Sequence, residues 1–395
     1  MIFARHDTDA NLPGHVDVAV VGGGPAGSAA ALTLARMGAS VLMIDRGDAG
    51  AHRIGESLPP AAAPLLRELG VWERFLADGH LPSHGNRSVW GGSEPDDRDF
   101  LSHPEGVGWH LDRPRFDAML SGAAMRAGAT VVPRTRVIGC HRRSGGAWHL
   151  DLSAEGRRTT VRARIVIDAS GRARLLARAE RVPCDAHDRL VGVVAVLAPD
   201  ARRADEDSFT LIEAVRDGWW YAARVPGDRL MVAYMTDADI AAAGRARAAA
   251  GWTAALAGTR HIRARVADYG YRLEAAPHLV AADSSHLYEV GADGWWAVGD
   301  AAAAHDPLSS CGLTAALAGG MQVACAILAC DSAPGVGASS LDGYTRWMRH
   351  TYTGYLAQWL GYYALEQRWP NAPFWHRRHT LLAHLLAPAS ATPCT

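Results

Sequence analysis

Val16-Asp17-Val18-Ala19-Val20-Val21-Gly22-Gly23-Gly24-Pro25-Ala26-Gly27, taken with Val41-Leu42-Met43-Ile44-Asp45-Arg46, is the stretch from which the rest of the chain is read. A β-branched apolar run enters G-x-G-x-x-G, an Ala-rich helical pattern follows, and a second apolar run ends on an acid. Strand, glycine turn, helix and strand is the order that a dinucleotide site requires. Gly22 permits the tight turn, Gly24 lets the backbone approach a pyrophosphate, and Gly27 lets the helix sit close to the strand. The helix opened by Pro25 and Ala26 turns its free N–H groups and its positive dipole end toward the phosphates. Asp45 falls 18 residues after Gly27, where a carboxylate bonds a ribose hydroxyl, and Arg46 stands beside it.

A chain of 395 residues exceeds one typical domain, and 49% hydrophobic residues supply a sizeable core. The formal net charge of −1 leaves no basic surplus to attract nucleic acid. All 40 basic residues are arginine, because the sequence contains no lysine. Cys140, Cys184, Cys311, Cys325, Cys330 and Cys394 form no C-x-x-C pair and have no metal-ligand spacing, so reduced thiols and no metal are expected. Met1–His15 lacks the apolar run of a signal peptide, and no uncharged 18-residue stretch is expected to span a membrane. These readings together predict a cytoplasmic protein with no membrane or nucleic-acid partner.

Beyond the first motif, His52–Pro60 is a polar loop closed by a Pro pair, leading into a helix over Ala61–Leu76. Asp78–Gly108, rich in Gly, Pro, Asp and His, reads as a crossover to another domain. A helix opens at Arg113-Pro114-Arg115-Phe116-Asp117. Strands over Thr130–Val137, Ala147–Ser153 and Thr159–Ile167, with turns at Ser144-Gly145-Gly146 and Glu155-Gly156, read as a β-meander. Val191–Leu197, Ser208–Ala214, Trp219–Val225 and Leu230–Met235 suggest an antiparallel sheet, completed by a helix over Ile240–Leu256 and a strand around Tyr269–Leu273. Trp295–Asp300 returns to a buried strand, a helix covers Gly312–Leu328, and Leu341–Leu386 is helical and aromatic.

Two further motifs accompany the first. Val298-Gly299-Asp300-Ala301-Ala302 puts an acid at a strand end, and Asp306-Pro307-Leu308-Ser309-Ser310-Cys311-Gly312 opens the next helix. With the glycine turn they resemble the FAD-dependent aromatic hydroxylases and halogenases. In that family the Gly-Asp acid bonds the flavin ribityl chain and the Pro…Gly helix start faces the flavin ring, where its N–H groups favour negative charge on the reduced ring. Asp168-Ala169-Ser170-Gly171 sits where the hydroxylases carry an Asp-Gly motif, with Ala after the Asp here. The resemblance implies an α/β fold: a Rossmann-like FAD-binding domain with a β-meander (16–77, 109–186 and 281–330), a crossover (78–108), an inserted antiparallel-sheet substrate domain (187–280) and a C-terminal helical cap (341–395). It places Gly22, Gly24, Pro25, Ala26, Gly27, Asp45, Arg46, Glu56, Ser57, Arg113, Val137, Asp168, Asp300, Pro307, Gly312 and Leu313 on the FAD.

Gly55-Glu56-Ser57-Leu58-Pro59, Trp219-Trp220-Tyr221 and the tail Tyr363…Glu366…Arg368-Trp369-Pro370…Phe374-Trp375 are similar to the halogenase-like branch. A halogenase of that branch needs a lysine between flavin and substrate, and tryptophan halogenases place an acid where Ser309 stands here. Within the branch, the lysine-free pattern resembles the flavoproteins that mature tryptophylquinone enzymes by hydroxylating a tryptophan inside another polypeptide. The implied chemistry is transfer of oxygen from a C4a-hydroperoxyflavin to an electron-rich ring, with NAD(P)H or a separate flavin reductase as electron donor. A free aromatic small molecule is the competing substrate, and a non-catalytic flavoprotein chaperone is the remaining alternative.

The candidate catalytic residues follow from the same placement. Glu56 is read as a general base or as a helix N-terminal carboxylate, and Arg113 as a flavin contact or a salt bridge. His110 and His305 are the histidines nearest the flavin motifs. Alternation turns either Trp219 or Trp220 toward substrate. Cys311 lies beside the flavin or serves as a small packing residue. The Arg-rich run Arg157–Arg189 is read as a solvated face or a dock for an acidic partner, and the aromatic cap as core packing or a cleft lining.

Overall fold

The computed structural model describes residues 12–47, 55–142, 146–200, 203–292, 294–332 and 336–386. The expectations at His52–Ile54, at the Ser144-Gly145 turn and at Cys394 lie outside these residues.

The first sheet is built from β1 (His15–Val21) outward. Strand β1 pairs in parallel with β2 (Val41–Ile44), and β2 with β3 (Thr130–Val132). On its other side β1 pairs in parallel with the long strand β6 (Arg157–Asp168), which continues to β11 (Trp295–Ala297). Strands β4 (Arg136–Arg142) and β5 (Trp148–Ala154) join β6 as the expected antiparallel meander, closed at Glu155-Gly156. All four side chains of β2 are buried, as expected for a parallel strand covered on both faces. Each such side chain contributes about 1.5–3 kcal/mol by leaving water.

Helix α1 (Pro25–Arg36) covers one face, and α3 (Gly312–Ser332) lies across it. Their approach is close because the contact is made of small residues. A Cβ on Gly320 would sit 2.4 Å from the Ala26 carbonyl oxygen and 2.8 Å from Ala29 Cβ. Helix α2 (Arg113–Arg126) begins as expected, with Asp112 Oδ1 accepting from the Arg115 N–H.

The second sheet carries the antiparallel strands β7 (Leu190–Ala198), β8 (Phe209–Val215), β9 (Gly218–Val225) and β10 (Arg229–Asp237), in the order β7-β10-β9-β8. Helix α4 (Val336–Leu365) and α5 (Pro373–Leu386) pack an aromatic cluster onto it.

Several expected elements are corrected. Thr130–Val137 is not one strand: it breaks after β3, where Pro133 precedes Arg134 at φ 52°. The helix over Ala61–Leu76 splits into a 3-10 turn, Ala63–Glu68 and Trp72–Ala77, interrupted at Gly70 with φ 58°. Ile240–Leu256 is two helices, Ala238–Ala243 and Ala249–Leu256, separated by Gly244 and by Arg245 at φ 50°. A further helix, His261–Asp268, precedes the short strand Arg272–Leu273. The crossover is itself structured, since Gly85–Val89 pairs in parallel with β8 and extends the second sheet through Asp96–Asp99. The expectation of no long uncharged stretch also fails. Gly312–Cys330 within α3 is 19 residues with mean hydropathy 1.8, long and apolar enough to cross a membrane by length and composition. Its small apolar side chains instead serve the close contact with α1.

Candidate active site

One cleft of about 830 Å³ runs from the glycine turn to the second sheet. At one end stand Gly22, Gly23, Gly24, Pro25 and Ala26, with Asp45 and Arg46 from the end of β2. Gly22 holds φ 118°, and a Cβ there would lie 2.1 Å from the Ala169 carbonyl oxygen. Only glycine fits that position. Gly27 does not line the cleft. Its Cβ would lie 1.9 Å from the Gly22 carbonyl oxygen, so it serves the close helix–strand packing. Among the described residues no side chain caps the N-terminus of α1, whose first N–H groups remain for a phosphate. Val137, Arg136 and Arg172 flank this end.

In the middle of the cleft lie Arg113, Asp300, Pro307, Gly312 and Leu313. Arg113 donates from Nη1 to the Gly55 carbonyl at 3.0 Å and from Nη2 to Asp117 Oδ1 at 3.4 Å, pinning the Gly55-Glu56-Ser57 loop. Asp300 sits 3.5 Å from Arg172 Nε, and Arg172 in turn bonds Asp283. The room, the uncapped helix and the polar groups along the cleft fit a flavin dinucleotide lying from Gly22 to Gly312.

The second sheet closes the far end with Thr210, Ile212, Trp219 and Tyr221. Alternation holds: Trp219 faces the cleft, and Trp220 turns away onto Trp252 and Tyr234. Glu56 is buried, and its Oε2 accepts from Tyr221 Oη at 2.7 Å and from the Gly55 N–H at 3.1 Å. Burial raises the Glu56 pKa, against the pull of the Tyr221 hydrogen bond and the Arg113 charge. Trp219 donates from Nε1 to Tyr363 Oη at 2.9 Å, and Tyr363 donates to Asp306 Oδ2 at 2.8 Å. The same oxygen accepts from Trp359 Nε1 at 2.8 Å, while Oδ1 accepts from the Leu308 N–H. One buried carboxylate thus holds the Pro307 turn and, through Tyr363, the tryptophan of the opposite wall.

Besides Gly27, three expected site residues stand back from the cleft. Asp168 is fully buried and accepts from the Ser170 and Leu176 N–H groups, so it shapes the turn after β6 and leaves the lining to Ala169–Ala173. His110 lies behind Thr210, with Nε2 at 2.9 Å from its Oγ1, and burial lowers its pKa to about 3, keeping it neutral. Cys311 packs against the aromatic cluster with Sγ 3.0 Å from Ser309 Oγ, and burial raises its thiol pKa. His305 does line the cleft, and burial lowers its pKa to about 4. The cap aromatics Trp359, Tyr363, Phe374 and Trp375 are core packing behind Trp219. The arginine run divides: Arg158 and Arg162 are exposed, whereas Arg172 lines the cleft and Arg174 is buried with Nη2 2.8 Å from Ser285 Oγ. Thr210 and Ile212 read in the sequence as ordinary strand residues and Tyr221 only as part of the Trp219-Trp220-Tyr221 resemblance; their pairing across the sheet places them here.

The model of the family described as FAD dependent oxidoreductase matches residues 17–186. The putative FAD-dependent oxidoreductase LodB of Marinomonas mediterranea is 32% identical over 378 residues, 93% of this chain and 98% of that protein. The myxobacterial chondrochloren halogenase CndH aligns with a TM-score of 0.83 and 26% identity, over 93% of this chain and 86% of that one. The peptidyl tryptophan dihydroxylase QhpG shares the fold at a TM-score of 0.69 and 23% identity, over 92% of this chain and 79% of that one. The chain therefore belongs to the FAD-dependent oxidoreductases, with the fold of the flavin halogenases and aromatic monooxygenases.

Proposed function

We propose that this FAD-dependent enzyme is a monooxygenase that hydroxylates an electron-rich aromatic ring, and that the ring is a tryptophan side chain in a partner polypeptide on its way to a tryptophylquinone cofactor. The observation that carries the monooxygenase reading is the buried Glu56–Tyr221 pair lining the same cleft as Gly312, in a chain without lysine. Reduced FAD, with oxygen, supplies an electrophilic oxygen atom when it is bound. Trp219, Ile212 and Tyr221 present an apolar, aromatic wall that orients a flat ring and excludes water. When a C–O bond forms at a ring carbon, that carbon must lose its proton for aromaticity to return. Glu56 is the acceptor: its raised pKa makes it a better base than an exposed carboxylate, and Tyr221 holds Oε2 in place. Halogenation is disfavoured because the chain has no lysine and places Ser309 where tryptophan halogenases carry an acid.

The polypeptide half of the reading rests on the resemblance to tryptophylquinone-maturing flavoproteins, with the competing substrate a free indole or phenol. A flavin reductase or NAD(P)H delivers the electrons. The test supplies FAD, NADH, a flavin reductase and ¹⁸O₂ to three arms: a tryptophan-containing precursor polypeptide encoded beside this gene, free tryptophan with simple phenols, and the same small molecules with bromide. Labelled oxygen on the polypeptide alone supports the proposal. Oxygen on small molecules alone moves the enzyme to ordinary aromatic hydroxylases, and a brominated product overturns the monooxygenase reading.

A further inference from the structure

Asp185, His187 and His286 lie apart from the cleft lining, on a small three-stranded sheet. The strand Cys184–Ala186 pairs antiparallel with Ser285–Leu287, and Asp185 stands directly opposite His286. His187 follows Asp185 by two residues, and its N–H donates to the Ser284 carbonyl at 2.9 Å, so the pairing runs on past the strand end. In a sheet, residues i and i+2 share a face with the residue directly across. The D-x-H pattern on one strand and the histidine on its neighbour therefore converge. One ligand atom from each lies within 4.8 Å of the others, and all three residues are half-buried.

Two features separate this cluster from an ordinary polar patch. His187 Nε2 and His286 Nδ1 are buried and have no hydrogen-bond partner among the described residues, an arrangement that costs free energy unless something fills it. The two rings lie 5.5 Å apart at 17°, and the Tyr352 ring of α4 packs 4.8 Å from His286. A second set with the same composition is the natural contrast. His141, His149 and Asp151 on β4 and β5 are also cross-strand neighbours, with stacked imidazoles 5.7 Å apart. There His141 is 45% exposed and its Nδ1 already faces Asp151 at 3.8 Å. That set is the solvated version of the arrangement.

We propose that Asp185, His187 and His286 bind one borderline divalent transition-metal ion, for which zinc is the probe. Tetrahedral zinc with nitrogens about 2.1 Å away needs ligand atoms roughly 3.4 Å apart, which small side-chain rotations supply from the present spacing. Two imidazoles and a carboxylate suit such an ion, and water completes the coordination on the exposed side. The ion fastens strand Cys184–Ala186 to Ser285–Leu287 beneath Tyr352, and Tyr352 also touches His305, which lines the cleft. The site is thus a clamp between two strands, packed beneath the helical cap.

The test dialyses untagged, FAD-loaded protein against zinc chloride, then measures bound metal by elemental analysis and the thermal midpoint with and without the ion. One equivalent of zinc and a raised midpoint are expected in the parent protein and in His141→Ala. Both are lost in His187→Gln and His286→Gln, and Asp185→Asn binds more weakly. The FAD content of each sample reports whether the variant has folded, and cobalt in place of zinc reads the coordination by its visible spectrum. No zinc in the parent protein, or equal zinc in the parent and both glutamine variants, overturns the proposal.

Discussion

The two ends of the cleft are made of different materials. The glycine-turn end is backbone: Gly22, Gly23 and the uncapped start of α1, held together by contacts so close that a Cβ cannot enter. The aromatic end is side chain: Glu56 with Tyr221, and Trp219 with Tyr363 and Asp306, hydrogen bonds whose partners lie 165, 144 and 57 residues apart. A backbone site tolerates almost no change at a few positions. A side-chain site tolerates change but loses function in steps, because each bond orients one group. The first kind fixes where a cofactor lies, and the second decides what happens beside it.

The largest break in this contrast is Gly22→Ala. The left-handed φ and the 2.1 Å overlap with the Ala169 carbonyl force the turn to move. Loss of bound FAD is expected, read by the flavin absorbance of the purified protein, and retention of full FAD would show that the turn can open. Next is Glu56→Gln, which removes the base and leaves the backbone end intact. Turnover is expected to drop on the order of 10²–10⁴-fold with FAD content unchanged, read by oxygen incorporation. A variant that keeps its rate would place the proton acceptor elsewhere.

Tyr363→Phe should be milder. It leaves Trp219 Nε1 buried without its acceptor and takes one donor from Asp306, while Trp359 and the Leu308 N–H remain. A loss of about 1–3 kcal/mol is expected in urea unfolding. KM should rise more than FAD affinity changes, because the bond orients the substrate wall.

The remaining effect is a pH slope. Burial, with Asp306 nearby, raises the Asp188 pKa to about 7 in the folded state, against the pull of Arg378. The folded protein then binds a proton that the unfolded chain releases near pH 4. Stability from this group is complete below about pH 4 and declines as the pH rises through 7. Asp188→Asn should flatten that decline, measured by urea midpoints at about pH 5 and pH 8. An unchanged slope would assign the pH dependence to other groups.

The same division explains what the sequence revealed. Gly22, Gly24, Asp45 and Gly312 are legible because backbone geometry demands particular residues at fixed spacing. The alternation of Trp219 and Trp220 is legible because a strand has period two. Tyr221 is legible only as part of the Trp219-Trp220-Tyr221 resemblance and Thr210 not at all, since the register of β8 and β9 against the Glu56 loop brings them to the cleft. The resemblance places Asp168 on the cofactor at the position of the Asp-Gly motif, but two N–H groups claim its carboxylate first. The helix ends at Gly70 and Gly244 are not legible, because an isolated glycine inside a helical pattern is also compatible with continuing the helix.

The order of the strands has a consequence for how the enzyme is made. The sheet that receives the cofactor begins at His15 and gains strand β11 only at Trp295, after the whole second sheet has been spelled out. The cleft takes residues from Val21 to Ala316, and Asp306 finds Trp359 and Tyr363 only in α4. On the ribosome, therefore, the pocket stays incomplete until the chain through Ala316 has emerged. A nascent chain cut short within the second sheet would carry the glycine turn but no site for the flavin ring.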